Sequence, residues 1–201
     1  MPKSPAQKLV SREKILRTAA GLLRSDGPEG ASVQKVMAAA GFTVGGFYAH
    51  FASKDELVTQ AFQEGVRQRR EYLRPILADT HGLERLATFL VNYLTEEHVA
   101  EIAGGCAWAA LLSDLPRLDP ATRVLATGFF QDTIAAFGGS ADQPAGKPSE
   151  SDRPIVIASL AMAFGTLNLA RMVDNLTLRQ EILRAGLQAG TALIASIKKG
   201  I

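Results

Sequence analysis

The chain has 201 residues, 47% of them apolar and 21% charged, with a formal net charge of +2, an ordinary globular composition that excludes disorder and collagen-like repeats. Its single cysteine, Cys106, excludes an internal disulfide framework, and no CxxC or Cys/His cluster has the spacing of a structural zinc site. The charge is unevenly spread: residues 1–54 carry 8 Lys/Arg against 3 Asp/Glu, while residues 55–201 carry 14 against 17, so the N-terminal quarter is the part suited to a polyanion.

In chain order, the tail over about residues 1–10 is basic and polar and lacks the apolar core of a secretory signal. Ile15, Leu16, Ala19, Leu22 and Leu23 make one apolar face of a first helix, which Asp26-Gly27-Pro28 stops. Ser32 is placed to cap a short second helix, Val33 to about Ala40. Gly41 breaks it, because only glycine enters a left-handed turn without steric cost. Thr43 opens a third short helix. Ser53-Lys54-Asp55-Glu56 reads as a capping box that starts a long fourth helix through Val58, Phe62, Val66 and Tyr72, fading near Pro75.

The remaining residues continue as helix. Leu83, Leu86, Phe89, Leu90, Tyr93 and Leu94 predict one helix over residues 82–100, and a short one follows over 106–112. Asp119-Pro120 is an N-cap with proline at the first helical position, starting a helix over 121–137. Residues 138–154 are rich in Gly, Pro, Ser and Asp and predict an exposed, mobile loop. Closing helices are expected over 155–173 and 178–199. Without strand alternation or internal repeats, the fold class is all-α. The uncharged run from Pro154 to Ala170 spans 17 residues and contains Ser159, Gly165, Thr166 and Asn168. A membrane span wants about 20 mostly apolar residues, so the run is expected as a helix buried in protein, with no membrane partner and a cytoplasmic location.

The stretch Ser32–Phe51, SVQKVMAAAGFTVGGFYAHF, is two short helices around a glycine turn, the pattern of a helix-turn-helix whose second helix enters the DNA major groove. Thr43 stands at a helix N-terminus, where free amides favour a phosphate. Gly45 and Gly46 each cost about 1 kcal/mol relative to alanine in a helix, a cost that makes sense where the backbone must lie close to the groove. Tyr48 and His50 offer O–H and N–H donors to phosphates, contacts that position rather than specify, and Lys54 adds a point charge. Phe47 and Phe51 read as core. The alternatives are a half-buried core Tyr48, a metal-bound His50 and a merely solvated Lys35. Val44 can meet a thymine methyl and Gln34 a base edge.

The run Gly41 to Phe51, with Ser53-Lys54, resembles the DNA-binding signature of the TetR family of bacterial regulators over about residues 11–65. The resemblance implies a helix-turn-helix head over residues 1–54 and a helical ligand-binding and dimerisation body over 55–201. It implies DNA contacts from Ser32, Gln34, Lys35, Thr43, Val44, Gly45, Gly46, Tyr48, His50 and Lys54. Family members often carry alanine where this chain has Met37, which affects the angle of the recognition helix.

In that family the last two helices pair with a second subunit. On this chain's own terms, Ala158, Ala161 and Gly165 form a small-residue stripe, and Gly186 and Gly190 lie four apart in the final helix, so these five are the expected homodimer seam. Phe89, Tyr93, Phe129, Phe130, Met162 and Phe164, with Cys106 and Trp108, are either ordinary core or the lining of an apolar pocket with Asn168 or Thr166 as polar anchor. The expected partners are a near-palindromic double-stranded operator, a second copy of the chain, and a small hydrophobic or aromatic effector that acts by preferring one of two conformations. No cofactor and no catalysis are expected, since no phosphate-binding glycine loop and no nucleophile-base pair is present. Other readings are a helical ligand carrier with a vestigial head, an oxidant-sensing regulator working through Cys106 at a helix start, and an interaction module for another protein.

Overall fold

The computed structural model describes residues 4–138 and 148–198, and every regular element among them is helical. The expected loop over 138–154 lies largely outside the described residues. The chain divides into two compact units, Met1–Arg70 with Ile102–Arg123, and Glu71–Glu101 with Val124–Ile201. The first is larger than the expected head over 1–54.

In the first unit, α1 (Pro5–Gly30) starts on a reciprocal cap that the sequence reading passed over. The Ser4 hydroxyl accepts from the Gln7 N–H at 3.3 Å, and the Gln7 side chain accepts from the Ser4 N–H at 2.9 Å. Ile15, Ala19, Ala20 and Leu23 are buried along α1. Its helical path breaks at Gly27 (φ 71°), followed by Pro28, where the stop was expected; hydrogen bonding carries the element on to Gly30. Next come α2 (Val33–Ala40) and a 3₁₀ helix over Val44–Ala49. In α3 (Lys54–Ile76), the Ser53 hydroxyl accepts from the Glu56 N–H at 3.0 Å. The Glu56 carboxylate reaches back one residue beyond the expected box, to the Ala52 N–H at 2.7 Å. From α6 (Ala107–Leu111), Trp108 meets Phe62 edge-on at 5.0 Å.

Arg24, 6% exposed, ties this unit together. Its guanidinium donates to the Ala103 carbonyl and, at 2.9 Å, to Gln68. It occupies space that a side chain at Gly65 would fill, since a Cβ there would lie 2.7 Å from Arg24 Nη1 and 3.1 Å from Ala107 Cβ. Hydrogen bonds to charged groups contribute about 1.5–3 kcal/mol each and leave costly orphans when cut. Arg24→Ala is therefore expected to lower unfolding free energy by about 3 kcal/mol in urea denaturation; a change below about 1 kcal/mol would show that desolvation cancels the bonds.

In the second unit, the helix expected over 82–100 is two, α4 (Gly82–Tyr93) and α5 (Glu96–Ala100). Thr95 is extended, and its hydroxyl caps α5 by accepting from the His98 N–H at 3.1 Å. Arg171 closes the other end of α5, donating to the carbonyl oxygens of His98 at 2.8 Å and of Val99 and Glu101 at 3.4 Å. The signal was in the sequence: Thr95-Glu96-Glu97 is an N-cap followed by two acids in the first turn. α7 runs over Pro120–Ala135, α8 over Arg153–Met172 and α9 over Leu176–Lys198. By length and composition α8 passes the test for a membrane span, yet Val156, Leu160, Ala163, Phe164, Leu167 and Ala170 along it are buried in protein.

The structure corrects the role expected of two glycines. Gly186 and Gly190 are both buried. A Cβ at Gly186 would lie 2.4 Å from Thr166 Oγ1, and one at Gly190 would lie 2.6 Å from Leu90 Cδ1 and 2.7 Å from Met162 Cε. Their lack of side chains lets α9 close on α8 and α4 within the chain, where both positions are buried.

Candidate nucleic-acid interface

The interface is built on a buried base. Ser32 caps α2 by accepting from the Lys35 N–H at 3.2 Å, and Val36, Met37 and Ala40 face inward. Gly41 (φ 79°) ends the helix in the left-handed region, its N–H turned back to the carbonyls of Ala38 and Met37; the Phe42 N–H also bonds to Met37 O at 2.8 Å. Thr43 is then extended and leads into the tight 3₁₀ segment, with the Gly46 N–H bonded to Thr43 O at 3.0 Å. Two adjacent glycines and a six-residue span account for a 3₁₀ turn in place of the expected α-helix.

Phe47 and Phe51 anchor this segment, being 1% and 2% exposed with rings 5.5 Å apart. Arg12 lies over the Phe51 ring at 4.9 Å, and its Nε donates to the His50 carbonyl at 3.4 Å. Met37 lies beneath the glycines, its methyl 3.8 Å from where a Gly46 Cβ would stand. Above the base, Thr43, Val44, Gly45 and Tyr48 are exposed, Tyr48 at 77%. A side chain at Gly45 would meet nothing within 4 Å. The Thr43 side chain makes no cap bond to the segment it precedes. Gln34 and Lys35 are exposed on α2, while Ser32, Gly46, His50 and Lys54 are half-buried.

Sequence reasoning missed two carboxylates beside these groups. Lys35 Nζ pairs with Asp26, and Lys54 Nζ lies 3.6 Å from Glu29 Oε2. The hydrogen bond from Lys35, then one from Ser25, holds the Asp26 carboxyl below its usual range. The only sequence signal was the place of Asp26 in the Gly27-Pro28 stop.

The residues expected to line an effector pocket divide between the units. Phe89, Tyr93, Phe129, Phe130, Met162, Phe164 and Asn168 belong to the second, while Cys106 and Trp108 belong to the first. Tyr93 is fully buried, with Phe89 at 4.7 Å, His98 at 4.5 Å and Phe164 at 5.9 Å between ring centres. Asn168 donates to the Phe164 carbonyl at 3.0 Å within its own helix. Phe129, Phe130 and Met162 are half-buried, and Cys106 is buried at 3% exposure. One polar atom not weighed from the sequence stands out: Ser159 on α8 is fully buried, and its hydroxyl has no hydrogen-bond partner among the described residues. Also among the described residues, no three His, Cys, Asp or Glu side chains cluster to hold a metal ion.

The profile of the family described as "Bacterial regulatory proteins, tetR family" matches residues 15–61, from α1 through the recognition segment into α3. Over these residues the chain resembles the TetR family. Along the TetR-type head, the exposed row from Thr43 to Tyr48 falls inside the matched residues. A curated relative, the HTH-type transcriptional repressor KstR2 of Mycolicibacterium smegmatis, is 29% identical over 121 residues, 59% of each chain; the match thus spans under two thirds of that relative's length. Among solved structures, a TetR transcriptional regulator from Chloroflexus aurantiacus superposes with a TM-score of 0.71 at 22% identity, covering 92% of this chain and 96% of the other. A TetR-family regulator from Cytophaga hutchinsonii gives 0.71 at 16% identity over 98% of both chains. These two likenesses show that the all-helical TetR fold extends through the body.

Proposed function

We propose that this protein is a cytoplasmic homodimeric repressor of the TetR family that binds a near-palindromic operator and is released by a small hydrophobic or aromatic effector. The observation that carries the reading is the exposed row Thr43, Val44, Gly45 and Tyr48 held above the buried Phe47 and Phe51. In this reading Ser32, Lys35, Thr43, Tyr48, His50 and Lys54 fix the head on phosphates, while Val44 and Gln34 meet base edges. Gly45 and Gly46 let the backbone approach.

Pairing is assigned to the outward faces of α8 and α9. Ala158 and Ala161 are exposed, and nothing lies within 4 Å of a Cβ at Gly165. The same face continues to Leu169 and Met172, 50% and 73% exposed. On α9, Ala185, Ala189 and Ala192 take the place first given to Gly186 and Gly190, and all three are exposed. An apolar stripe of this kind is costly in water and is stabilised by a second copy. Arginine at its centre would bury an unpaired charge. Ala161→Arg is expected to shift light scattering from dimer to monomer mass and to weaken operator binding at least about 100-fold, as one head loses its tethered partner. A variant that stays dimeric would remove the seam from α8.

The effector site is assigned to the rings around Tyr93, with Ser159 supplying the polar anchor. Removing a buried, unpaired hydroxyl is close to neutral for the empty protein, or stabilising. Ser159→Ala is therefore expected to keep or raise the melting temperature while reducing the stabilisation given by any aromatic compound found to protect the wild type. Undiminished protection would place the anchor elsewhere.

A further inference from the structure

The two lysines on the DNA-facing side of the head are not bare. Lys35 holds the Asp26 carboxylate and Lys54 lies beside Glu29. These partners are two of only three acids in residues 1–54, the third being Glu13, and both stand on the single turn Asp26-Gly27-Pro28-Glu29-Gly30. That turn is shaped to present Asp26. Gly27 takes a positive φ of 71°, and a Cβ at Gly30 would lie 2.5 Å from Asp26 Cβ. Any larger residue at Gly30 would force the Asp26 side chain or the turn itself to shift. The Asp26 side chain is 29% exposed, whereas Glu29 is 98% exposed and reaches Lys54 from open solvent.

Ammonium groups attract any DNA, because phosphate contacts carry no sequence information and supply nearly all non-specific affinity. A carboxylate on such a lysine offers the same charge and acceptor oxygens as a phosphate, and DNA must displace it or bind beside it. We propose that the Asp26–Gly30 turn is a built-in competitor of the DNA backbone: Asp26 and Glu29 occupy Lys35 and Lys54 in the free head and hold down its affinity for DNA of arbitrary sequence. The inference rests on the reading of the head as DNA-binding. It adds a specificity device outside the recognition segment, since at the operator the contacts from Thr43 to Tyr48 offset the exchange and on random DNA they do not.

The test is binding of a labelled 30-base-pair duplex of arbitrary sequence to the wild-type dimer, to Glu29→Gln, and to the Asp26→Asn/Glu29→Gln double variant, at several salt concentrations. Glu13→Gln, on α1 outside the turn, is the control that adds a single charge elsewhere. Each additional phosphate contact is worth about threefold between about 50 and 200 mM salt. The double variant should therefore bind tighter than the wild type at low salt, with an advantage that shrinks about tenfold between those two salts as log K falls more steeply against log salt, and Glu29→Gln should account for about threefold of that. Because Glu29 is almost fully exposed, its variant keeps the comparison valid if the double variant unfolds. Wild-type binding with variants no tighter than Glu13→Gln would overturn the proposal and leave the DNA-binding head intact. Absence of salt-sensitive binding by any of the proteins would overturn the head assignment, and the proposal with it.

Discussion

Replacing Gly45 with valine is expected to leave the protein folded and, if the head binds DNA as proposed, to weaken that binding by about 10- to 100-fold. Nothing lies within 4 Å of a Cβ at this position, and its φ is not among the positive ones, so the free protein gains no clash and no strain. Exposed substitutions of this kind change stability by about 0.5 kcal/mol or less. In the proposed complex the same open space is where groove walls and base edges would come, and inserted side-chain volume typically costs about 1–3 kcal/mol, a loss of about 10- to 100-fold. Gly46→Ala supplies the contrast. Its Cβ would stand 3.8 Å from Met37 Cε and 3.9 Å from Thr43 Oγ1, ordinary contact against the base of the segment, so its effect on DNA binding should be several-fold smaller. Urea denaturation and anisotropy titration of both variants check this together. Equal losses at the two positions, or a Gly45→Val protein that binds normally, would mean that the segment does not enter a groove by this face.

The second large effect is on stability, between two glycines of α9 that sequence spacing alone treats as equivalent. A Cβ at Gly186 would lie 2.4, 2.5 and 2.9 Å from Thr166 Oγ1, Cγ2 and Cβ. Rotating Thr166 about χ1 leaves its Cβ in place, so relief requires the helices to part. Gly186→Ala is expected to cost about 2–3 kcal/mol after allowing for the gain in helix propensity. At Gly190 the nearest atoms are the far ends of Leu90 and Met162, which can swing aside. Gly190→Ala should fall within about 1 kcal/mol of wild type, the propensity gain offsetting the repacking. A shift of α8 against α9 would also disturb the outward stripe of Ala158 and Ala161, so the proposed dimer should dissociate more easily in Gly186→Ala alone. Equal destabilisation of the two variants would show that the α8–α9 contact yields as easily as the α4 contact.

Much of this was legible because the informative residues act locally. Gly41, Ser32, Ser53 and Asp119 bond within three or four residues of themselves, so the head's turn and most helix starts follow from neighbours in sequence. The inward Phe47 and outward Tyr48 follow from the signature that surrounds them. What sequence did not show depends on distant partners. The Thr95 cap is local and carried a signal, but the bonds that close the far end of α5 come from Arg171, more than seventy residues away, and Gly186 and Gly190 look like an intersubunit seam until Thr166, Leu90 and Met162 are placed against them. Arg24 reads as one more charged helix residue until Ala103 and Gln68 come to it. Asp26 reads only as part of a helix stop and Glu29 carries no signal of its own, because their partners Lys35 and Lys54 lie on other elements. Ser159 is one polar residue in an apolar run, and only its burial without a partner marks it.

The most direct test of the regulator account is an anisotropy titration of labelled DNA from immediately upstream of this protein's own gene, run across salt concentrations with Tyr48→Phe and Lys54→Ala alongside. A dimer touching about six phosphates predicts a slope of log K against log salt near about −5, tight binding that beats unrelated DNA, and weaker binding in both variants. Weak binding indifferent to sequence, unchanged by either substitution and accompanied by no enriched fragment in a genome-wide selection, would contradict it and favour a helical ligand carrier whose head no longer works.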